Sequence, residues 1–406
     1  MIATTGSAMA ATIAIEAFRP VMGMDGPGAR VFDSRCRWPD GIAAHHSWIR
    51  MKKPVIACAA LSLIVSAHAA APGYVDMTWF SISNMYYEIG PLKIVTDGYV
   101  TRIPQAAFSG GGGGLANTHQ PFKPDEAAVT RVMNAFGGPS SVNLLLTGHS
   151  HFDHSFDTAV WSRLTGARII GPRTTCLQAE AQQIPRGRCQ AIDGGERLSL
   201  GDGVSMRVVR WNHSGTSATN PEQHDPVELD DVPTPDSSGA MRAGVAEDFP
   251  NGGGNRAFLF VVDAPGGRIA WFFQNSASAD DLDTPIVVGG RNFGAPLENL
   301  KAALAAEGLT SVDLWIGTGG AEVAQLVLPV LKPRAYLPVH WDGLFGAFEA
   351  DVPRPYADAR LEALLARASV KLVKPAHYMD KWRLDQSGIR EIPNESVKRA
   401  LGFRKP

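Results

Sequence analysis

The strongest constraint on this chain is a run of eight residues. Thr147-Gly148-His149-Ser150-His151-Phe152-Asp153-His154 follows directly on the apolar segment Val142-Asn143-Leu144-Leu145-Leu146. Three imidazoles and a carboxylate at the end of a buried strand are costly unless something binds them. Neutral imidazole and carboxylate suit zinc and similar divalent ions. An i, i+2 pair leaving a strand points to one side, and the turn brings Asp153 and His154 to a second position nearby. The run therefore predicts a fold with a strand end open to a ligand.

Composition narrows the class. Of 406 residues, 45% are hydrophobic and 19% charged. That is too apolar for a disordered chain, and 28 Pro are too many for a helical bundle. Lys and Arg total 38 against 40 Asp and Glu, a formal charge of −2, so no basic excess exists for general nucleic-acid binding. No stretch approaches the roughly 20 apolar residues of a membrane-spanning helix.

The N-terminal region reads as a leader. From Met51 the chain runs MKKPVIACAALSLIVSAHA, with Lys52 and Lys53 ahead of an apolar Val55–Val65 and a small-x-small Ala67-His68-Ala69. Residues 1–50 then read as an over-extended start, 51–69 as a signal peptide, and 70–406 as one mature domain, periplasmic or secreted. Val55-Ile56-Ala57-Cys58 lies too close to Met51 to serve as a lipoprotein box, so no stable membrane association is expected. Of the four cysteines, Cys176 and Cys189 remain after cleavage. In an oxidising compartment they read as a disulfide, with two unrelated buried thiols as the alternative. Closing so short a loop would contribute roughly 3 kcal/mol.

Residues 75–103 read as a hairpin turning at Gly90-Pro91, and Gly110–Gly114 as a loop. Strands are expected at 167–170, 204–211, 257–263 and 268–273, with helical spacing in Phe156, Val160, Trp161 and Leu164. Residues 214–255, rich in Pro, Asp, Ser and Gly, form an insertion that reads as a lid or substrate loop. The C-terminal third alternates: helix 297–307, strand 312–316, helix 322–331, strand 335–339, helix 357–368, strand 370–373. One layered α/β domain fits this order.

The motif H-x-H-x-D-H resembles the signature of the metallo-β-lactamase superfamily of metal-dependent hydrolases, over most of residues 75–345. The resemblance implies a four-layer αββα sandwich with metals at one edge. It matches His213, in Trp211-Asn212-His213, and His340, in Pro338-Val339-His340-Trp341, to the family's remaining histidines. It implies one metal on His149, His151 and His213 and a second on Asp153, His154 and His340, with Zn2+ as the expected ion. A hydroxide nucleophile would form from water at the metals, oriented by Asp153 as catalytic residue. Asp97, ending Ile94-Val95-Thr96, matches an acidic residue that supports the site.

One departure affects the second metal. The family's bridging Asp follows the strand that here reads Ile269–Phe273, and this chain continues Gln274-Asn275-Ser276-Ala277-Ser278. Asn275 or Ser276 stands where the carboxylate is expected, which leaves the second metal three protein ligands and its occupancy open. The third subclass of metallo-β-lactamases is similar in lacking this Asp. The length and the insertion stand against that subclass, and Pro-Val-His-Trp-Asp looks more like lactonase-type members. The expectation is a hydrolase of a small ester, lactone or amide; the alternatives are β-lactam hydrolysis and a metal-binding, non-catalytic protein. Trp341, Asn275, Ser276 and His224 are candidates to line the substrate site. His119, His224 and His377 are expected to be exposed rather than ligating. The hairpin aromatics Trp79, Phe80, Tyr86 and Tyr87 are expected mostly in the core. The partner is a small molecule, and the sequence sets no oligomeric state.

Overall fold

The computed structural model describes residues 72–403, apart from Asp202. The expectations for the start and signal peptide, residues 1–69, lie outside the described residues.

Two mixed sheets lie face to face. The first runs in the order Gly388–Ile392, Asp380–Asp385, Tyr74–Trp79, Met85–Ile89, Leu92–Thr96, Leu144–Leu146, Arg168–Gly171, Cys189–Ala191. The second runs Lys371–Leu372, Ala335–Pro338, Leu314–Gly317, Gly267–Phe273, Asn255–Ala264, Val204–Trp211, Arg197–Gly201. Each is antiparallel where hairpins build it and parallel where a helix returns the chain.

The period-2 alternation of the second sheet explains the layers. Phe258, Phe260, Trp271, Phe273, Leu314 and Ile316 point inward and share one core with Met77, Tyr87, Ile94 and Leu145 of the first sheet. Their neighbours Leu259, Val261, Phe272 and Trp315 point outward. They meet Leu300 and Leu304 of the helix Pro296–Ala306, Val323 and Val327 of Gly320–Leu331, and Leu361 and Leu365 of Ala359–Arg367. On the other side, the helices Glu126–Ala135 and Thr158–Thr165 bring Val129, Val132 and Trp161 to the first sheet. The architecture is the four-layer αββα sandwich.

Three local differences from the sequence reading have physical causes. The segment 75–89 is two strands, because Phe80–Asn84 forms a turn closed by Phe80 N donating to Asn84 O at 3.1 Å. The second arm of the hairpin stops at Thr96, since Asp97 adopts a left-handed φ of 60° and turns the chain. A C-terminal hairpin, Asp380–Asp385 with Gly388–Ile392, was not anticipated and extends the first sheet beyond Tyr74–Trp79.

The insertion is well anchored. Met241, Ala243, Val245 and Phe249 are buried against Tyr99, Phe152 and Phe156, so its second half forms a small core beside the histidine-rich turn. Cys176 and Cys189 are joined as a disulfide that ties the helix Arg173–Ala181 to the edge strand Cys189–Ala191. Among the described residues no helix is long and apolar enough to cross a membrane.

Candidate metal centre

The strand Leu144–Leu146 delivers the chain to the edge of the sandwich, where Gly148 permits a close crossing. A Cβ there would lie 2.6 Å from Asn275 Nδ2 and 2.8 Å from Asn255 Oδ1, so only glycine fits. The short helix Phe152–Ser155 begins directly after His151 and presents Asp153 and His154 from its first turns. His213 follows the strand Val204–Trp211, and His340 follows Ala335–Pro338.

Six side chains converge into two triads. His149, His151 and His213 form one, and Asp153, His154 and His340 the other, with ligand atoms in each lying within 4.8 Å of one another. His340 is half-buried and the other five are buried. His149 Nε2 faces His213 Nε2 at 3.1 Å. Asp153 Oδ2 lies 3.0 Å from His154 Nε2 and 3.1 Å from His340 Nε2.

Hydrogen bonds behind the triads fix the ring orientations. Asp97 Oδ2 lies 2.9 Å from His154 Nδ1, and Asn275 Oδ1 lies 3.2 Å from His149 Nδ1. Ser214 O lies 3.0 Å from His213 Nδ1. Each acceptor takes the Nδ1 proton and leaves Nε2 directed into the cluster, the usual arrangement behind a metal-ligating histidine. Asp97 is itself held by Ser83 Oγ at 2.8 Å, by Asn275 Nδ2 at 3.1 and 2.9 Å, and by the Gly148 amide at 3.3 Å.

His340 has its own brace. Its φ is 63°, left-handed for a non-glycine residue, and its amide donates to Ile82 O at 2.8 Å. The Ile82 amide donates to Asp342, which also accepts from Tyr378 Oη at 2.7 Å. The turn at 80–84 thus supports the second triad twice, through Ser83 behind Asp97 and His154 and through Ile82 against His340. Backbone held in a sparsely populated region, as at Asp97 and His340, clusters at functional sites.

The electrostatics separate the two triads. Burial, aided by the neighbouring imidazoles, holds His149 well below the ordinary histidine value. His151 is lowered to about 3, chiefly by burial, and His213 is lowered for the same reason. For His154 burial opposes charge, yet Asp153 and Asp97 outweigh it and raise the group to about 10. Asp153 is the counterpart: burial alone would raise it, but His154 and His340 hold it well below the carboxylate range.

The residues present fit divalent cations. Nε2 of His151 is buried with no hydrogen-bond partner, and two imidazole Nε2 atoms face each other across 3.1 Å. Uncompensated buried nitrogens of this kind call for a ligand that accepts their lone pairs.

The weaker candidates are placed differently. Asn275 is fully buried behind the triads, and its amide links Asp97 to His149 instead of facing substrate. Ser276 is buried, and its Oγ accepts from the Ser214 amide at 2.9 Å. Trp341 stacks on Trp79 with ring centroids 5.6 Å apart and borders a cavity of about 330 Å³ that none of the six clustered residues lines. His224, expected to be exposed, is buried because its ring bridges His213 O at 3.0 Å and Asp281 Oδ2 at 2.9 Å. His119 is exposed, and His377 is half-buried against Asp351. Trp79, Phe80, Tyr86 and Tyr87 all lie in the core. Sequence reading missed Ser83, Asn84 and Asp342. Asn84 accepts from the Gly98 and Tyr99 amides at 2.8 and 3.1 Å and so shapes the turn that presents Asp97.

The αββα sandwich, with H-x-H-x-D-H at the sheet edge and two further histidines at strand ends, is the metallo-β-lactamase fold. No family model matches the chain. It is similar to a UPF0173 metal-dependent hydrolase of Pyrobaculum calidifontis, at 23% identity over 300 residues, covering 74% of this chain and 97% of the relative. A protein of the same description from Pyrobaculum neutrophilum is 26% identical over the same coverage. Among solved structures, a metallo hydrolase of Ignicoccus hospitalis aligns with a TM-score of 0.43 and 13% identity, over 76% of this chain and 98% of that one.

Proposed function

We propose that the chain is an exported metal-dependent hydrolase acting on a small ester, lactone or amide. One cation is assigned to His149, His151 and His213 and a second to Asp153, His154 and His340, with zinc as the ion that this donor set suits. The observation that carries this reading is the pair of buried triads, each with ligand atoms inside 4.8 Å. Divalent ions held there supply a lowered pKa for bound water and polarisation of the scissile carbonyl.

The protein's own groups do the rest. Asp97, Asn275 and the Ser214 carbonyl keep His154, His149 and His213 in the tautomer that exposes Nε2. Asp153 presents Oδ2 between two imidazoles, where it accepts a proton from an attacking water and passes it to the leaving group. Export is supported by the Lys52-Lys53 leader pattern and by the disulfide. The near-neutral charge disfavours a nucleic-acid substrate.

A β-lactamase reading keeps one supporting observation: Asn275 stands where most of the superfamily has a metal-bridging Asp, as in the third subclass. The test is turnover of an aryl ester, a lactone, a cephalosporin and a phosphodiester by wild type, chelated protein and Asp153→Ala. Metal-dependent ester or lactone hydrolysis that Asp153→Ala abolishes supports the proposal. Cephalosporin turnover alone would replace it with the β-lactamase reading. Full metal loading without turnover of any member would favour a binding role.

A further inference from the structure

A second cavity adjoins the metal centre through one of its histidines. It measures about 170 Å³ and is walled by Trp211, His213, His224, Pro226, Ile286 and Val287, with Ser217, Asp225 and Asp281 also reaching it. His213 is common to both places, since its Nε2 lies 3.1 Å from His149 Nε2. A cavity near 150 Å³ lined by apolar side chains accepts a benzene ring, so this one matches a single ring or a short branched chain.

Its chemistry is selective. No lysine or arginine lines it, while Asp225 and Asp281 do. Both carboxylates are engaged, Asp281 with His224 at 2.9 Å and Asp225 with Ser217 Oγ at 2.5 Å. The basic group beside them, His224, is already bonded to Asp281, so an anion would meet two carboxylates with no lysine or arginine to receive it. The rim is apolar. Val287 is 51% exposed and Val227, next to Pro226, is 46% exposed, two of only four large hydrophobic residues so exposed among the described residues. Of these Val287 lines the mouth itself, and Val227 follows the lining residue Pro226; ligand pockets pair such apolar walls with a few polar groups.

We infer that this pocket binds the uncharged hydrocarbon part of the substrate, an aryl or short alkyl group of about benzene size, and so sets specificity. The inference rests on the hydrolase reading for the word substrate, while the pocket itself can be tested without turnover. It also bears on the competing reading, because a β-lactam carries a carboxylate that this lining disfavours.

The experiment uses the full chain in two arms. In the first, chelated protein is titrated with benzyl alcohol and, separately, with benzoate, followed by saturation-transfer NMR. Benzyl alcohol should bind at least tenfold more tightly than benzoate. Val287→Trp and Ser217→Trp, both at exposed positions on different walls, should each weaken it about tenfold or more. In the second arm, the ratio of kcat/KM for a phenylacetyl ester to that for an acetyl ester is compared between wild type and the same variants. That ratio should fall about tenfold. Equal binding of benzyl alcohol by wild type and both tryptophan variants, or benzoate binding as tightly, overturns the inference. Binding that the variants remove, with no ester turned over, keeps the pocket and refutes the hydrolase reading. Ester turnover with no benzyl alcohol binding refutes the pocket and keeps the hydrolase.

Discussion

The two triads sit side by side and are built on opposite principles. His149, His151 and His213 are three imidazoles whose burial strips them of protons. Asp153, His154 and His340 include a carboxylate, and in the absence of a cation His154 holds a proton between Asp153 and Asp97. The first triad therefore offers a cation vacant lone pairs, whereas the second must release a proton to accept one. Two sites of similar size thus differ in when they fill. The missing bridging carboxylate fits this division, because the neutral Asn275 amide links His149 to Asp97 by hydrogen bonds and supplies no carboxylate between the triads.

The largest effect expected is at Asp153. Replacing it by Asn removes the only carboxylate from the second triad, and turnover should drop by about 10²- to 10⁴-fold, the range for a lost acid–base group. Metal at the first triad should survive in elemental analysis. Loss of both ions together would show that the triads are one site and not two.

Asp97→Asn should come next. It weakens the support of His154 and should cost about 10- to 100-fold in affinity at the second triad alone. Asn275→Leu should bear on His149 and Asp97 together, so its penalty should appear at both triads. A metal titration read by calorimetry distinguishes the two patterns, and equal losses in both variants would erase the proposed asymmetry.

Acidity offers a sharper contrast. Between pH 6 and 8 the affinity of the second triad should rise about tenfold per pH unit, because one proton leaves His154 on binding. The first triad should change little there, since its histidines are already neutral. In chelated protein the stability signs oppose each other as well. The lowered histidines leave stability intact above the unfolded value near 6.5 and remove it as pH falls. Each contributes about 1.4 kcal/mol per pH unit while only the unfolded chain is protonated. The raised His154 contributes stability that is fully present below about 6.5 and lost as pH rises through about 10. Thermal melts of chelated protein across pH 4 to 10 should therefore rise and then fall.

The smallest effect on the centre should come from the disulfide, which belongs to neither triad. Cys176→Ser should lower stability by roughly 3 kcal/mol while leaving the order of metal loading unchanged. A changed order would mean that the helix Arg173–Ala181 acts on the centre, through Gln178 Nε2 and its bond to Ser150 O at 2.9 Å.

Much of this contrast was legible in the chain itself. His149, His151, Asp153 and His154 are contiguous, so local spacing was enough to place them together. His213 and His340 were reachable because each ends an apolar strand and the family resemblance pairs them with the motif. Among the supports, Asp97 and the position of Asn275 came from the resemblance, whereas Ser83, Asn84 and Asp342 were not legible, since they meet the centre only across tertiary contacts. Ser83 and Asn84 lie inside a run whose β-like composition hides a turn held by Asp342, 260 positions away from Ile82. The buried state of His224 was hidden for the same reason, because its ring partner Asp281 lies beyond the whole insertion. The C-terminal hairpin was missed because four of the six residues of Asp380–Asp385 are charged and the strand finds its core face only against Tyr74–Trp79.

The central claim is that two structurally separate cation sites share this edge of the sandwich. Its most direct test is a zinc titration of chelated full-length protein, with bound metal counted at pH 6 and at pH 8. Two ions per chain at pH 8, falling toward one at pH 6 with the first triad still loaded, is the predicted result. A single ion at both values that is lost equally in His149→Ala and Asp153→Asn, or no bound ion at all, would contradict the account.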